Sequence, residues 1–360
     1  MPSSLHAAPR EATLASEAAD ADRAPHPPPA PALPAAYDRR AATISILMSG
    51  HHLRVLNAWY RLFAGDILRA LVALDVWRHA AAAGDALREH RYPLARLVSE
   101  LAMPRESARR RLRSLERDGW LRPTGRGHVA ATERLAAVFH PAAARWVYDD
   151  FVQTAGLLRA ALAHDAAPAG PAALRAALTL AARTTAAPAT AAFSTQIAAA
   201  APVGDIPLEP ALRVADYHHR HLQRLRAAFD GDLLLPLLLG EVALSNLSLL
   251  LRDPAADLTT IEVATRADTV GDAPPASPLR PCNAYSLATA TGVPDATVRR
   301  RVDAMVARGW LSRGTDGGLF SATGLADGFA ELNLTTARDF LTTDERLRAL
   351  GARATDESSG

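Results

Sequence analysis

Arginine side chains are concentrated in one short stretch whose spacing suits nucleic-acid chemistry. The segment RESARRRLRSLER begins at Arg105. Its apolar residues follow the i, i+4, i+7 pattern of one helix face, and they are Ala108, Leu112 and Leu115. At about 100° per residue, Arg110 and Arg113 fall on the opposite face, with Ser107 and Arg109 on the flanks. Guanidinium groups on an exposed helix can bind phosphates and guanine edges.

The chain contains this stretch twice. The sequence LVSELAMPRESARRRLRSLERDGWL at Leu97–Leu121 aligns without a gap with LATATGVPDATVRRRVDAMVARGWL at Leu287–Leu311, at an offset of 190 residues. A shorter match lies upstream, where the FAGDIL that begins at Phe63 corresponds to the FDGDLL that begins at Phe229, at an offset of 166. A repeat of this extent predicts two related halves.

Each copy has the pattern of a helix, a tight turn, a second helix and a hairpin. Pro104 suits the first turn of the second helix, because a proline lacks the N–H that would be unpaired there anyway. Gly119 ends that helix in the first copy. Two short extended runs then flank a glycine-rich tip, which is typical of a β-hairpin. In the second copy the corresponding tip is the GTDGG that begins at Gly314.

These motifs resemble the DNA-binding part of MarR-type and related bacterial winged-helix regulators. The best match is the second copy, with LATATGVPDATVRRR closed by Gly-Trp-Leu; the first copy has Ala102-Met103 where the second has Gly292-Val293. The resemblance implies a recognition helix in the major groove and a wing over the phosphates or in the minor groove. It also implies that flanking helices build a two-fold interface. With two copies on one chain, we expect an intramolecular pseudo-dimer, which could pair again as a homodimer.

The predicted fold is therefore mainly α, with two tandem winged helix-turn-helix units, small hairpin wings and flanking helices. The predicted ranges in chain order are a disordered Ala/Pro-rich tail at 1–37, a first unit at 38–164 with its motif at 92–135, a linker at 165–204, a second unit at 205–350 with its motif at 283–329 and an insertion at 253–281, and a disordered tail at 351–360. Within the second unit, the uniformly apolar block Leu233–Leu239 is predicted to be buried.

The predicted DNA contacts come from both copies. They are Arg105, Ser107, Arg109, Arg110, Arg113 and Arg126 in the first copy, and Thr297, Arg299, Arg300 and Arg313 in the second. Residues 92–135 hold ten arginines and five acidic residues, whereas residues 283–330 hold five arginines and four acidic residues. The first copy thus has the excess of positive charge that a phosphate-binding surface needs. Asp316 replaces Arg126 at the second wing tip, so the second copy is the weaker candidate.

Several side chains have a structural interpretation. Arg111 is expected to form an ion pair at the edge of the core, and Trp120 and Trp310 are expected to lie behind the wings. Five histidines lie in the helical regions: His51, His52, His218, His219 and His221. They have no clear carboxylate or cysteine companion, so we expect solvated or pH-sensitive interface histidines rather than a metal site.

Composition excludes several classes of protein. The chain has no lysine, which removes Schiff-base chemistry and phosphate-loop catalysis, and no catalytic or cofactor-binding motif is present. Cys282 is the single cysteine, so an internal disulfide is excluded, and a redox role is disfavoured. No apolar run reaches the roughly 18 residues of a membrane span. We therefore expect a cytoplasmic protein that is not an enzyme and needs no cofactor or metal.

Double-stranded DNA is the expected partner, in a bacterial transcription regulator. The family resemblance also implies a small-molecule effector between the outer helices. Two alternatives stay open: a winged-helix scaffold that binds other proteins, and an accessory protein of replication or chromosome segregation.

Overall fold

A computed structural model describes residues 36–83, 91–125, 127–139, 145–162, 208–253, 279–322 and 324–357. These residues are mainly α-helical and carry two small antiparallel sheets. The structure therefore confirms the mainly α class. Almost all of the predicted N-terminal tail, the linker at 165–204, most of the insertion and Arg126 lie outside the described residues.

The first half, residues 36–162, begins with two helices and continues with the repeated motif. Its elements are α1 at Ala36–Leu62, α2 at Ile67–Ala82, β1 at Tyr92–Pro93, α3 at Leu94–Glu100, α4 at Arg105–Arg117, β2 at Leu121–Gly125, β3 at His128–Ala131, α5 at Glu133–Phe139 and α6 at Arg145–Leu162.

The second half, residues 208–357, follows the same order. Its elements are α7 at Leu208–Ala228, α8 at Leu234–Leu247, a 3₁₀ turn at Leu250–Arg252, α9 at Ala284–Thr291, α10 at Asp295–Ala307, β4 at Leu311–Arg313, β5 at Leu319–Ser321, α11 at Leu325–Gly328 and α12 at Ala330–Glu357. The predicted ordered chain ended at residue 350, whereas α12 continues to Glu357. After Gly351 the sequence ARATDE contains no proline or further glycine, so nothing in it breaks a helix.

The two halves share the same turn chemistry. Gly65 and Gly231 have φ values of +81° and +84°, in the left-handed region that glycine adopts without strain. Asp66 then accepts a hydrogen bond from the Leu68 amide at 2.9 Å and caps α2. Asp232 accepts the equivalent bond from the Leu234 amide at 3.1 Å. The residue types that fix the entry to α2 are thus repeated at α8.

The turn between the two short helices of the repeat contains a residue with positive φ in both copies. Gly292 has a φ of +73°, and Ala102 at the equivalent position has a φ of +43°. The first copy therefore uses an alanine in a conformation that disfavours a Cβ atom.

Each motif ends in an antiparallel hairpin. Leu121 of β2 pairs with Ala131 of β3, and Leu311 of β4 pairs with Ser321 of β5. The sequence predicts both hairpins but not the additional edge, where Tyr92 of β1 pairs with Val129. Cys282 forms the equivalent bridge to Leu319 in the second half. Strand β1 has only two residues, which is too short to show the alternating pattern by which a strand is predicted from sequence.

Helices outside the motifs join the halves. In the first half α1 packs on α6, and in the second α7 packs on α12. Across the halves, α1 packs on α8, α7 on α2, and α6 on α12. Helices α8 and α1 approach closely at Gly240, where a Cβ atom would lie 2.9 Å from the end of the Leu53 side chain.

The centre of the junction is aromatic. The rings of Phe151 and Phe340 stack with their centroids 4.0 Å apart, and both side chains are fully buried. Tyr217 and His51 contact these rings edge-on. As predicted, the Leu233–Leu239 block is buried, apart from a half-buried Leu234.

We expect Phe151→Ala to lower the free energy of unfolding by about 3–5 kcal/mol, because it removes a fully buried ring and leaves a cavity between the halves. Urea denaturation followed by circular dichroism measures this change. Val152→Ala on the same helix is the control, since Val152 is 38% exposed and its loss should cost about 0.5 kcal/mol or less. Equal effects for the two variants would contradict the central role of Phe151.

Candidate nucleic-acid interface

Helix α4 presents a basic face because its other face is anchored. Ala108, Leu112 and Leu115 are buried, and the helix packs on α2. Arg111 is also held inward, with its Nε atom 3.2 Å from Asp66 Oδ2, which confirms the predicted structural ion pair. The remaining polar side chains of α4 therefore point away from the core.

Five of the six predicted contacts of the first copy lie on α4, and none of the five is buried. Arg105, Arg110 and Arg113 are exposed, and among the described residues they have no acidic partner. Ser107 and Arg109 are half-exposed, and the Arg109 guanidinium is 3.9 Å from Glu106. The predicted wing-tip residue Arg126 lies outside the described residues.

Arg117 and Arg122 are also exposed, although they are not among the predicted contacts. Arg117 lies in the last turn of α4, and Arg122 lies on β2 at the base of the wing. Arg117 already belonged to the outward face by its spacing, so the sequence contained the signal for it. Leu121 is buried, and successive side chains of a strand point to opposite sides. The next residue, Arg122, is therefore expected on the exposed side of β2.

Two of the three predicted arginine contacts in the second copy are paired with carboxylates. Arg299 Nε is 2.7 Å from Asp295 Oδ2, and Arg313 Nη2 is 2.6 Å from Asp303 Oδ1. Among the predicted contacts on α10, Thr297 is half-buried. Arg300 is exposed and has no acidic partner in the described part of the chain. The two copies thus share a backbone arrangement but differ in free positive charge.

The two copies differ in their exposed ion pairs but share a partly buried one. Arg301 of α10 pairs with Asp232 at 2.6 Å, as Arg111 pairs with Asp66 at the equivalent position. Exposed pairs such as Arg299–Asp295 contribute little to stability. A carboxylate beside a guanidinium nevertheless repels an approaching phosphate and occupies the donors that would bind it.

Each helix-turn-helix turn is held by the long helix of the other half. Arg226 of α7 donates to the main-chain oxygens of Leu101 and Ala102, the latter at 2.9 Å. Arg61 of α1 donates in the same way to the Ala290 oxygen at 3.0 Å. These contacts satisfy carbonyl groups that a helix end leaves unpaired. The position of each basic helix is therefore coupled to the opposite half.

The tryptophans pack behind the wings, as predicted. Trp120 is buried against Phe63, with ring centroids 5.2 Å apart, and the Arg134 guanidinium lies 3.9 Å from its ring centroid. Trp310 is half-buried and contacts Phe229 at 5.3 Å. Each wing is thus anchored to the helix that begins its half.

The five histidines of the helices are buried at the junction between the halves, which excludes the solvated alternative and leaves the interface alternative. His52 stacks on His221 at 3.7 Å, and its Nε2 atom lies 2.6 Å from the Tyr217 hydroxyl. Burial lowers the pKa of His52, His218 and His221 well below the ordinary value of 6.5. Among the described residues, His221 has no hydrogen-bond partner at either ring nitrogen.

A buried ion pair adjoins these rings. His51 Nδ1 is 2.5 Å from Asp150 Oδ2, and Arg54 donates to both oxygens of the same carboxylate. Burial alone would raise the pKa of Asp150, but His51 and Arg54 lower it overall. The pKa of His51 is lowered because burial outweighs Asp150. The Arg54–Asp150 pair recurs in the second half as Arg220–Asp339, at 2.7 Å.

Cys282 does not have the surroundings of a reactive thiol. Its side chain is buried, and burial raises its pKa to about 12. A reactive cysteine needs the opposite shift, because the thiolate is the nucleophile.

No helix within the described ranges is both long and apolar enough to cross a membrane. Comparison of the chain with models of known protein families, with curated proteins and with solved structures finds no match.

We expect acidification from pH 7.5 to 5.5 to destabilise the protein. The unfolded chain takes up protons near pH 6.5, whereas the buried histidines, with lowered pKa values, stay neutral. Their contribution is therefore fully present above pH 6.5 and is lost as the pH falls below it. Below pH 6.5, each such histidine lowers the free energy of unfolding by at most about 1.4 kcal/mol for each pH unit.

Urea denaturation at several pH values tests this dependence. His218→Asn should flatten the dependence of the unfolding free energy on pH, whatever its effect on stability at pH 7.5. His128→Asn, at an exposed position on β3, is the matched control. An unchanged slope for His218→Asn would mean that this ring does not carry the effect.

Proposed function

We propose that this protein is a sequence-specific, double-stranded DNA-binding transcription regulator built from two winged helix-turn-helix units. The observation that carries the proposal is that Arg105, Arg110 and Arg113 of α4 are exposed without acidic partners among the described residues, and that Arg110 and Arg113 share the outward face of the helix. An α-helix fits the major groove of B-form DNA, and guanidinium groups bind both guanine edges and phosphates.

The surroundings of α4 support the same use. The β2–β3 hairpin follows the helix directly, and its Arg122 and His128 side chains are exposed. In a winged helix this hairpin lies over the DNA backbone beside the groove. Arg126 at the tip would extend the contact.

The proposal assigns unequal roles to the two units. The repeat and the matching contacts of α1, α2, α7 and α8 favour an intramolecular pseudo-dimer, in which the second unit positions the first. The pairing of Arg299 and Arg313 with carboxylates disfavours phosphate binding by α10. We therefore propose that the first unit makes most of the contacts with DNA.

We also propose that the protein is cytoplasmic and is not an enzyme. A small-molecule effector stays a prediction, which a thermal-shift screen tests.

We expect the double variant Arg110→Ala/Arg113→Ala to weaken binding to duplex DNA. Each lost phosphate contact lowers the slope of log affinity against log salt by about 0.9, so the two together remove about 1.8. Fluorescence anisotropy of labelled random duplex over a salt series measures this slope. The melting temperature should not fall, because both side chains are exposed.

The matched control is Arg299→Ala/Arg313→Ala at the second unit, where both guanidinium groups are already paired. This variant should change the slope by less than half as much. If the wild-type chain does not bind duplex DNA at low salt, the proposal is wrong and the scaffold alternative gains support.

The unequal roles give a second prediction, with a gain of function. Asp295→Asn/Asp303→Asn removes the two carboxylates that hold Arg299 and Arg313. We expect tighter binding to random duplex and a steeper salt slope, since two guanidinium groups become available for phosphates. The double variant Glu209→Gln/Asp149→Asn, which breaks the exposed pairs with Arg213 and Arg145, controls for the same change of two in net charge. An equal gain in both variants would indicate a non-specific charge effect.

A further inference from the structure

A second cluster of ionisable groups lies away from the basic face of α4. Asp75 and His79 are one helical turn apart on α2, and Glu100 is the last residue of α3. One donor atom from each residue lies within 4.8 Å of the others. His79 Nε2 is 3.7 Å from Asp75 Oδ1 and 3.0 Å from Glu100 Oε2. Ligand atoms bound to one zinc ion at about 2.1 Å are separated by roughly 3 to 4 Å.

The neighbours of the cluster direct the two carboxylates at His79. The Tyr92 hydroxyl donates to Oδ2 of Asp75, so that Oδ1 faces the imidazole. Arg96 Nε donates to Oε1 of Glu100 at 2.5 Å, so that Oε2 faces it as well. Carboxylates that bind a metal ion through one oxygen usually accept a hydrogen bond at the other oxygen, and this bond orients the ligand.

The second half forms the corresponding helices without this cluster. The repeat places Glu241 at the position of Asp75, Ser245 at that of His79 and Ala290 at that of Glu100. The second half thus builds the same helices and the same turn without the imidazole and without the second carboxylate. The Asp75–His79–Glu100 group is present in one half only, where the buried Asp75 lies beside the His79 imidazole.

We propose that Asp75, His79 and Glu100 bind a divalent transition-metal ion. One imidazole nitrogen and two carboxylate oxygens form a mixed set that suits zinc and its neighbours in the first transition row, whereas magnesium prefers oxygen ligands and retains its waters. The half-exposed Glu100 and His79 leave the site open to solvent on one side. Water can therefore complete the coordination.

Two positive or titratable groups border the site. Arg78 Nη1 is 3.5 Å from Asp75 Oδ1, but its guanidinium is also held by Asp216 at 2.5 Å, which offsets its repulsion of a cation. His219 Nε2, from α7 of the second half, is 3.0 Å from the same oxygen, Asp75 Oδ1, so a metal ion would share this oxygen with the His219 imidazole. The site consequently lies where α2 and α3 meet the opposite half.

Direct binding of Zn²⁺ to the full chain tests the proposal without reference to DNA. The apo protein is titrated with zinc in competition with a chromophoric chelator, and Mg²⁺ in excess serves as the counter-probe. We expect His79→Ala and Glu100→Gln each to weaken the tightest zinc site at least about 100-fold, since loss of an outer-shell partner already costs 10–100-fold. Excess Mg²⁺ should not displace the zinc.

Two further variants separate this site from other histidines. His128→Ala removes an exposed imidazole from β3 and should leave the tightest affinity unchanged. Tyr92→Phe keeps all three ligands but releases Asp75 Oδ2, and should weaken zinc about 10-fold. Zinc should also raise the melting temperature of the wild-type chain but not of His79→Ala. Equal zinc affinity in the wild type and His79→Ala, or no binding at 100 µM zinc, would overturn the proposal.

Discussion

The stacking of Phe151 on Phe340 at the junction is the contact on which the arrangement of both halves depends. Each ring comes from the second helix after a hairpin, α6 or α12, and each is surrounded by side chains from both halves. The surrounding histidines are buried, and burial favours their neutral form. Because a charged imidazole would have to be desolvated there, the junction combines apolar packing with sensitivity to acid.

Duplication has preserved the contacts that hold this framework. The pair Arg54–Asp150 recurs as Arg220–Asp339, and the pair Arg111–Asp66 recurs as Arg301–Asp232. These ion pairs join elements far apart in the sequence and are partly buried, so one partner cannot be lost cheaply. Exposed positions carry no such constraint, and there the two halves have diverged.

Arginines at different positions of the two halves have different partners and therefore different roles. Arg110 is exposed without an acidic partner in the described part of the chain, Arg299 is paired on its own helix, and Arg226 holds main-chain oxygens of the opposite half. All three belong to a chain without lysine, in which arginine is the only strongly basic residue. What distinguishes them is the set of acceptors within reach, which decides whether a guanidinium is available to a phosphate.

The sequence by itself determined the repeat, the helices and both hairpins, because helical periodicity and turn residues act over a few positions. It also contained the Asp295–Arg299 pair, since i and i+4 residues are neighbours on a helix. Only the tertiary structure decided that Asp303 reaches Arg313, that five histidines are buried, and that Tyr92 adds a third strand. It alone placed Glu100 beside Asp75 and His79. Such groupings depend on how whole helices pack, and no local pattern encodes which distant side chains then meet.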